Sequence, residues 1–211
     1  MTLSYTHFRR TSFFLFVAII LAALALTANQ LYTARMQRLA VSALRERRVS
    51  VIYDWTLSHD DNSAVIDPTN KGLLRRVLGN DVFDKVIGLY ANAKTLNDDD
   101  IRWASHLHDL RSIDFSNNDV GDSGLEAISR LPSVRFLKVN NTRIGDRGVA
   151  MLTNLHCLEY LDVSNSGVTN DSIRALDRFP SLQVIEIKGT QMTRDAIDQL
   201  RASRPKLVVK Q

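Results

Sequence analysis

Apolar residues return every 24 positions from residue 86 onward, without a gap. The leading column is Val86, Leu110, Val134, Leu158 and Leu182. Three residues on stand Leu89, Ile113, Leu137, Leu161 and Ile185, and two further on Ala91, Phe115, Val139, Val163 and Ile187. Ten residues after the lead come Leu96, Val120, Ile144, Val168 and Met192. The fifteenth and eighteenth positions hold Ile101, Leu125, Val149, Ile173 and Ile197, then Ala104, Ile128, Leu152, Leu176 and Leu200. Apolar and polar residues alternate over the first six positions, which predicts a short strand with one buried face. Leu125, Ile128 and Leu131 recur three apart, which predicts one face of a short helix. A single unit cannot bury its apolar side alone, whereas stacked units bury it between them. A fixed period of this length therefore predicts a solenoid.

Two polar columns mark the turn that ends each strand. Seven residues after the lead stand Ala93, Asn117, Asn141, Asn165 and Gly189. Asn and Gly tolerate positive φ best, so this column predicts the bend. The next column holds Lys94, Asn118, Thr142, Ser166 and Thr190. Short polar side chains hydrogen-bond nearby backbone, so these are expected to satisfy the amides of the turn from inside. The first unit departs from both columns.

The run Leu110, Ile113, Phe115, Asn118 and Val120 resembles the leucine-rich repeat pattern L-x-x-L-x-L-x-x-N-x-L. Within that family it is similar to bacterial membrane-anchored repeats in which Thr or Ser takes the Asn position and a (I/V)-(T/G)-D-x-G-(L/V) run follows. VGDSGL and IGDRGV fit that run, while VTNDSI, MTRDAI and LNDDDI depart from it. The resemblance extends from Val86 to about Ser203. It implies an α/β solenoid, with a concave parallel sheet and convex helices.

The N-terminus follows a different pattern. No residue between Arg10 and Arg35 is charged, and Phe13 to Ala28 is apolar but for one Thr. As a helix the uncharged stretch spans roughly 36 Å, against a hydrocarbon core of about 30 Å. It reads as a single-pass transmembrane anchor; the competing reading is a signal peptide cleaved after Ala25 or near Ala28. Five arginines follow it, Arg35, Arg38, Arg45, Arg47 and Arg48, against Arg9 and Arg10 before it. Positive charge prefers the cytoplasmic side, which places the repeats in the cytoplasm; the resemblance to envelope-anchored repeat proteins points to the other side. Leu31 to Arg48 continues at helical spacing, with Leu39, Ala43 and Leu44 opposite the arginines. This segment reads equally as a solvated stalk or as a basic strip on anionic headgroups.

The expected organisation is thus a tail over 1–10, an anchor over 11–34 and a basic helical stalk over 35–48. A cap region follows over 49–85, five repeats over 86–204 and a C-terminal edge strand over 205–211. Within the cap, Val49 to Trp55 alternates as a strand, His59 to Gly72 reads as a loop, and LLRRVL as a short helix before a turn at Gly79-Asn80-Asp81. Leu207 and Val209 carry the strand signature of the last segment.

Charge sharpens this division. Residues 1–48 hold seven arginines and one glutamate, net +6, leaving 20 basic and 22 acidic residues after them, net −2. The basic character of the chain belongs to its N-terminal segment, so composition gives the repeats no face for nucleic acid. The single Cys157 excludes an intramolecular disulfide. His7, His59, His106, His108 and His156 have no metal-ligand spacing, and His156 merely repeats the position of His108. The Asp98-Asp99-Asp100 run falls in the same loop as Asp122 and Asp146, and reads as a solvated helix N-terminus rather than a cation site. No catalytic constellation, phosphate loop or cofactor motif is present, so no cofactor and no small-molecule substrate is expected. An enzyme would need a site hidden in the cap.

The remaining candidate surface is the outer face of the strands. By alternation it carries Tyr90, Phe136, Lys138, Tyr160, Asp162, Val184, Glu186 and Lys188. Tyr90, Phe136, Tyr160 and Val184 are expected on one patch ringed by charge, as in protein-binding surfaces. The expected function is a membrane-tethered, non-enzymatic scaffold that binds a protein partner through its concave sheet. The alternatives are a secreted repeat protein, or a structural envelope protein without a specific ligand.

Overall fold

A computed structural model describes residues 3–54, 84–91 and 94–211, with side chains from residue 15 onward. The expected loop at 59–72, the helix and turn after it, Trp55 and Ala93 lie outside the described residues. The chain opens with one helix, α1 (Leu3–Glu46), then β1 (Val49–Tyr53) and β2 (Val86–Ala91). From there short helices and three-residue strands alternate: α2 (Asp98–Ile101), β3 (Ser112–Asp114), α3 (Asp122–Ile128), β4 (Phe136–Lys138), α4 (Asp146–Met151) and β5 (Tyr160–Asp162). The series ends with α5 (Ile173–Leu176), β6 (Val184–Glu186), α6 (Arg194–Ser203) and β7 (Val208–Lys210). The seven strands form one sheet in sequence order, antiparallel between β1 and β2 and parallel from β2 to β7.

Every parallel pair is offset by 24 residues, as Leu89, Ile113, Leu137, Leu161, Ile185 and Val209 show in one row across the sheet. The six apolar columns form the core, and of their members only Met192 is partly exposed. A seventh column, Leu107, Leu131, Leu155 and Phe179, is buried with them and closes the return from each helix to the next strand. The expected fold class, an α/β solenoid with a parallel sheet backed by helices, is the one observed.

The turns divide the work between two columns. Asn117, Asn141, Asn165 and Gly189 have φ of 61°, 55°, 53° and 69°, the left-handed bend their residue types predict. Asn118 is buried and accepts from the amides of Thr95 and Leu96, both at 3.1 Å. Its amide group donates to the carbonyls of Ala91, Phe115 and Ser116. Thr142, Ser166 and Thr190 act differently from the expectation. Each hydroxyl donates to a carbonyl three residues back, on Val139, Val163 and Ile187, at 2.5, 2.5 and 2.8 Å. A hydroxyl has one proton and a short reach, so it closes its own turn; only the longer Asn bridges to the preceding unit.

A second ladder runs along the starts of the helices. Asp98 accepts from the amide of Gly121 at 2.7 Å, Asp122 from that of Gly145 at 2.8 Å, and Asp146 from that of Thr169 at 2.9 Å. Asn170 continues it to Thr193 at 2.8 Å. These carboxylates are therefore structural acceptors rather than solvated charges. The glycine two residues into the helix follows from them: a Cβ at Gly124 or Gly148 would come within 2.8 and 2.5 Å of the Asp98 and Asp122 carboxylates. In the fourth unit Ser172 replaces that glycine and donates its hydroxyl to Asp146. Asp146 lies below the ordinary carboxylate pKa: burial raises it, but the bonds from Ser172 and Thr169 together lower it further.

The two ends are closed differently. α1 contains neither Pro nor Gly, so nothing interrupts it across the tail, anchor and stalk that the sequence separates. It ends at Glu46, and in the turn that follows φ of Arg48 is 60°. Its apolar side chains from Leu15 to Leu31 are exposed except Val17, which is half-buried, and burial begins at Ala34 and continues through Ala40, Val41 and Leu44. Gln37 donates to the Asp84 carbonyl at 2.7 Å, the Arg47 carbonyl accepts from Thr95 at 2.7 Å, and the Arg47 guanidinium pairs with Asp100 at 2.9 Å. The 35–48 segment is thus not a solvated stalk: its last turns are docked on the first repeat. Leu39, on the side opposite the arginines, is 44% exposed, and the stripe that meets the core runs through Ala34, Ala40, Val41 and Leu44. At the far end, α6 and β7 cover the last unit, with Leu207 buried beneath them.

Candidate functional site: the concave sheet

Alternation turns the even offsets of each strand away from the core, and the parallel register stacks them into rows. Strands in a sheet lie about 4.8 Å apart. The first row is Gly88, Ser112, Phe136, Tyr160, Val184 and Val208. Its second half is apolar and displayed: Phe136 is 46% exposed and Val208 52%, with Tyr160 and Val184 half-buried between them. The Phe136 and Tyr160 rings lie 6.5 Å apart, tilted by 37°.

The second row is Tyr90, Asp114, Lys138, Asp162, Glu186 and Lys210, and its charges surround Tyr160. The ammonium groups of Lys138 and Lys210 lie 5.8 and 5.9 Å from the ring centroid, within the reach of a cation–π attraction. Lys210 also pairs with Glu186 at 2.8 Å. That bond, chiefly, holds the Glu186 carboxyl below its ordinary range, against the opposing effect of burial and with help from the Tyr160 hydroxyl. Burial first, then the bond to Glu186 and the charges of Asp162, Glu186 and Asp114, push the Tyr160 phenol well above its usual value. The phenol stays protonated and neutral, and the ring presents an apolar face bordered by fixed charges.

Of the eight residues expected here, Phe136, Tyr160 and Val184 share the first row, and Lys138 and Glu186 flank it. Lys188 is exposed two residues beyond the end of β6, before the Gly189 turn. Two depart from expectation. Tyr90 stands in the other row, separated from Phe136 by β3, and donates to the Ser112 hydroxyl at 2.9 Å; it lines a cleft with Phe136 rather than continuing the Phe136–Val208 row. Asp162 is buried, at 8% exposure, and accepts from the amide of Ser164 at 2.9 Å. Alternation gives the side a residue faces, but crowding by its neighbours decides how much of it water reaches. Val208 and Lys210 were missed, although each lies 24 residues after a member of its row. The signal is obscured because Lys206 occupies the apolar lead position.

Residues 106–129 match a family model described as a leucine rich repeat. No match is found among curated proteins. In structure the chain is similar to a leucine-rich repeat protein of Leptospira interrogans, at 17% identity and a TM-score of 0.42 over 52% of this chain and 27% of that one. It is also similar to an internalin of Listeria monocytogenes, at 16% identity and a TM-score of 0.38 over 52% of this chain and 36% of that one. The chain thus spans about a quarter to a third of the length of these structures. The leucine-rich repeat matched at residues 106–129 lies in register with the units before and after it, from Val86 to Lys210.

Proposed function

We propose that this protein is a membrane-tethered scaffold that binds a protein partner through its concave sheet. The observation that carries the reading is the Phe136–Tyr160–Val184–Val208 row. Four neighbouring strands present apolar side chains to solvent there, bordered by Lys138, Glu186 and Lys210. An apolar centre with a charged rim is the anatomy of a protein interface. Tethering rests on α1, which is long and apolar enough to cross a membrane, and none of whose apolar side chains from Leu15 to Leu31 is buried in the fold.

Capture from detergent-solubilised membranes tests the binding face. Tyr160→Ala and Phe136→Ala are expected to weaken capture of a partner while leaving thermal unfolding unchanged; undiminished capture by both removes the case for this face. N-terminal sequencing of the mature protein tests the tether. An intact N-terminus in the membrane fraction supports it, and cleavage near Ala25 or Ala28 makes the protein a secreted one, since the docked turns from Ala34 would survive that cut.

A further inference from the structure

The N-terminal half of the concave face has a different shape from the row just described. Gly88 and Ser112 place two small side chains in succession between Ile52, which pairs with Gly88 across the antiparallel edge, and Phe136. Gly88 is itself covered, by the Tyr90 ring and Ile52, so the trough opens over Ser112, between Tyr90 and Phe136. The Tyr90 ring lies over Gly88, where a Cβ would come within 3.0 Å of it, and its hydroxyl is held by Ser112 at 2.9 Å. Tyr90 is therefore fixed as one wall, with Ile52 and Phe136 as the others. The trough encloses about 560 Å³, within the range of ligand-sized clefts.

The lining of the trough carries one unmatched positive charge. Arg111 and Arg135 stand there, next to Cys157. Arg135 is matched by Glu159 at 2.7 Å. The nearest acids in sequence to Arg111 are committed elsewhere: Asp109 pairs with Lys85 at 3.0 Å, and Asp114 accepts from the amide and hydroxyl of Ser116. Among the described residues the Arg111 guanidinium has no acidic partner. A guanidinium beside an apolar cleft selects a carboxylate, and its planar fork bonds one in bidentate fashion.

We infer that this trough is a specificity pocket for an acidic segment of the protein partner. One large apolar side chain of that segment enters between Ile52, Tyr90 and Phe136, and a neighbouring Asp or Glu carboxylate meets Arg111. The inference rests on the concave-face reading and adds to it the chemistry of what is bound. Basic or purely polar segments are disfavoured, the first by repulsion from Arg111, the second by leaving the apolar walls wet.

Cys157 is exposed, is the chain's only cysteine and lines the trough, so it reports occupancy directly. The experiment measures the rate of its alkylation by a bulky maleimide, on the full chain in nanodiscs. Three blocked peptides serve as probes: one with a phenylalanine between glutamates, its counterpart with lysines for glutamates, and an acidic counterpart with serine for phenylalanine. Slowing by the first peptide alone is expected. Arg111→Glu should weaken that protection by about tenfold or more, and transfer it to the lysine peptide. Ser112→Leu, which fills the trough, should abolish it. Equal protection by the acidic and basic peptides, protection indifferent to Arg111→Glu, or none at all overturns the assignment. A Cys157 already unreactive in the free protein overturns it too, because the chain itself then covers the trough. A parallel measurement on Val208→Cys in a Cys157→Ser background separates the two readings. Protection there but not at Cys157 keeps the concave face as a binding surface and rejects the trough.

Discussion

The two sides of each strand carry different kinds of information. Core-facing positions repeat: Leu89, Ile113, Leu137, Leu161 and Ile185 meet the same environment five times and are all aliphatic. Outward positions do not repeat. Gly88, Ser112, Phe136, Tyr160, Val184 and Val208 occupy equivalent places with small, aromatic and aliphatic residues in turn. Stacking requires sameness on one side and is indifferent to the other, so the outward residues are free to differ from unit to unit. Even within the outward face the two halves differ. The N-terminal half is hollowed over Ser112, and the C-terminal half is filled by Phe136 to Val208.

Adjacent residues in β4 break this comparison most sharply. Leu137→Ala removes a fully buried side chain and should cost about 2–5 kcal/mol, read as a drop in the urea midpoint. Phe136→Ala, one residue away and 46% exposed, should cost less than about 1 kcal/mol. Similar losses at both would mean that the outward face is structural. The polar ladders come next. Asn118→Ala leaves two amides and three carbonyls of the turn without their bonds, at about 1–3 kcal/mol. Thr142→Val removes one donor to Val139 and should cost no more than about 1.5 kcal/mol. Gly148→Ala drives a methyl against the Asp122 carboxylate, for about 1–3 kcal/mol. In an Asp122→Ala background that penalty should shrink, since the two residues share one space. An additive pair would show that the glycine is needed for some other reason.

The smallest expected effect is a pH dependence of the outward charges. Lys210 and Tyr160 hold the Glu186 carboxyl below its unfolded value. The pairing therefore contributes stability above the ordinary glutamate range and loses it as pH falls through the folded pKa. Glu186→Gln should therefore lower stability slightly near neutrality and flatten the profile below about pH 4.5, where the variant and the parent converge. A larger change at pH 4 than at pH 7 would contradict the pairing.

The core columns and the bend at Asn117, Asn141, Asn165 and Gly189 were legible in the sequence because each is a local requirement met repeatedly at a fixed spacing. Relations between neighbouring units were harder to read. The Asp98–Asp122–Asp146 ladder joins residues 23 apart, and its carboxylates look like solvated helix starts until the next loop is placed on top of them. The docking of α1 was misread for a related reason. A helix bearing both apolar and basic residues has more than one plausible inner stripe, and the first repeat selects Ala34, Ala40, Val41 and Leu44 over Leu39. On the candidate face, alternation placed the eight residues on the right side of the sheet. It could not tell that Asp162 is crowded out of solvent, that Tyr90 leans on Ser112, or that β7 extends the row to Val208.

The claim that the outward sheet is the recognition surface is tested most directly by site-specific photo-crosslinking in intact cells. A photoreactive residue is placed at Tyr160 on the sheet, and separately at Arg174, exposed on α5 among the backing helices. A discrete adduct from position 160, absent from position 174, is the predicted result. Adducts from position 174 alone, or the same adducts from both, would contradict it.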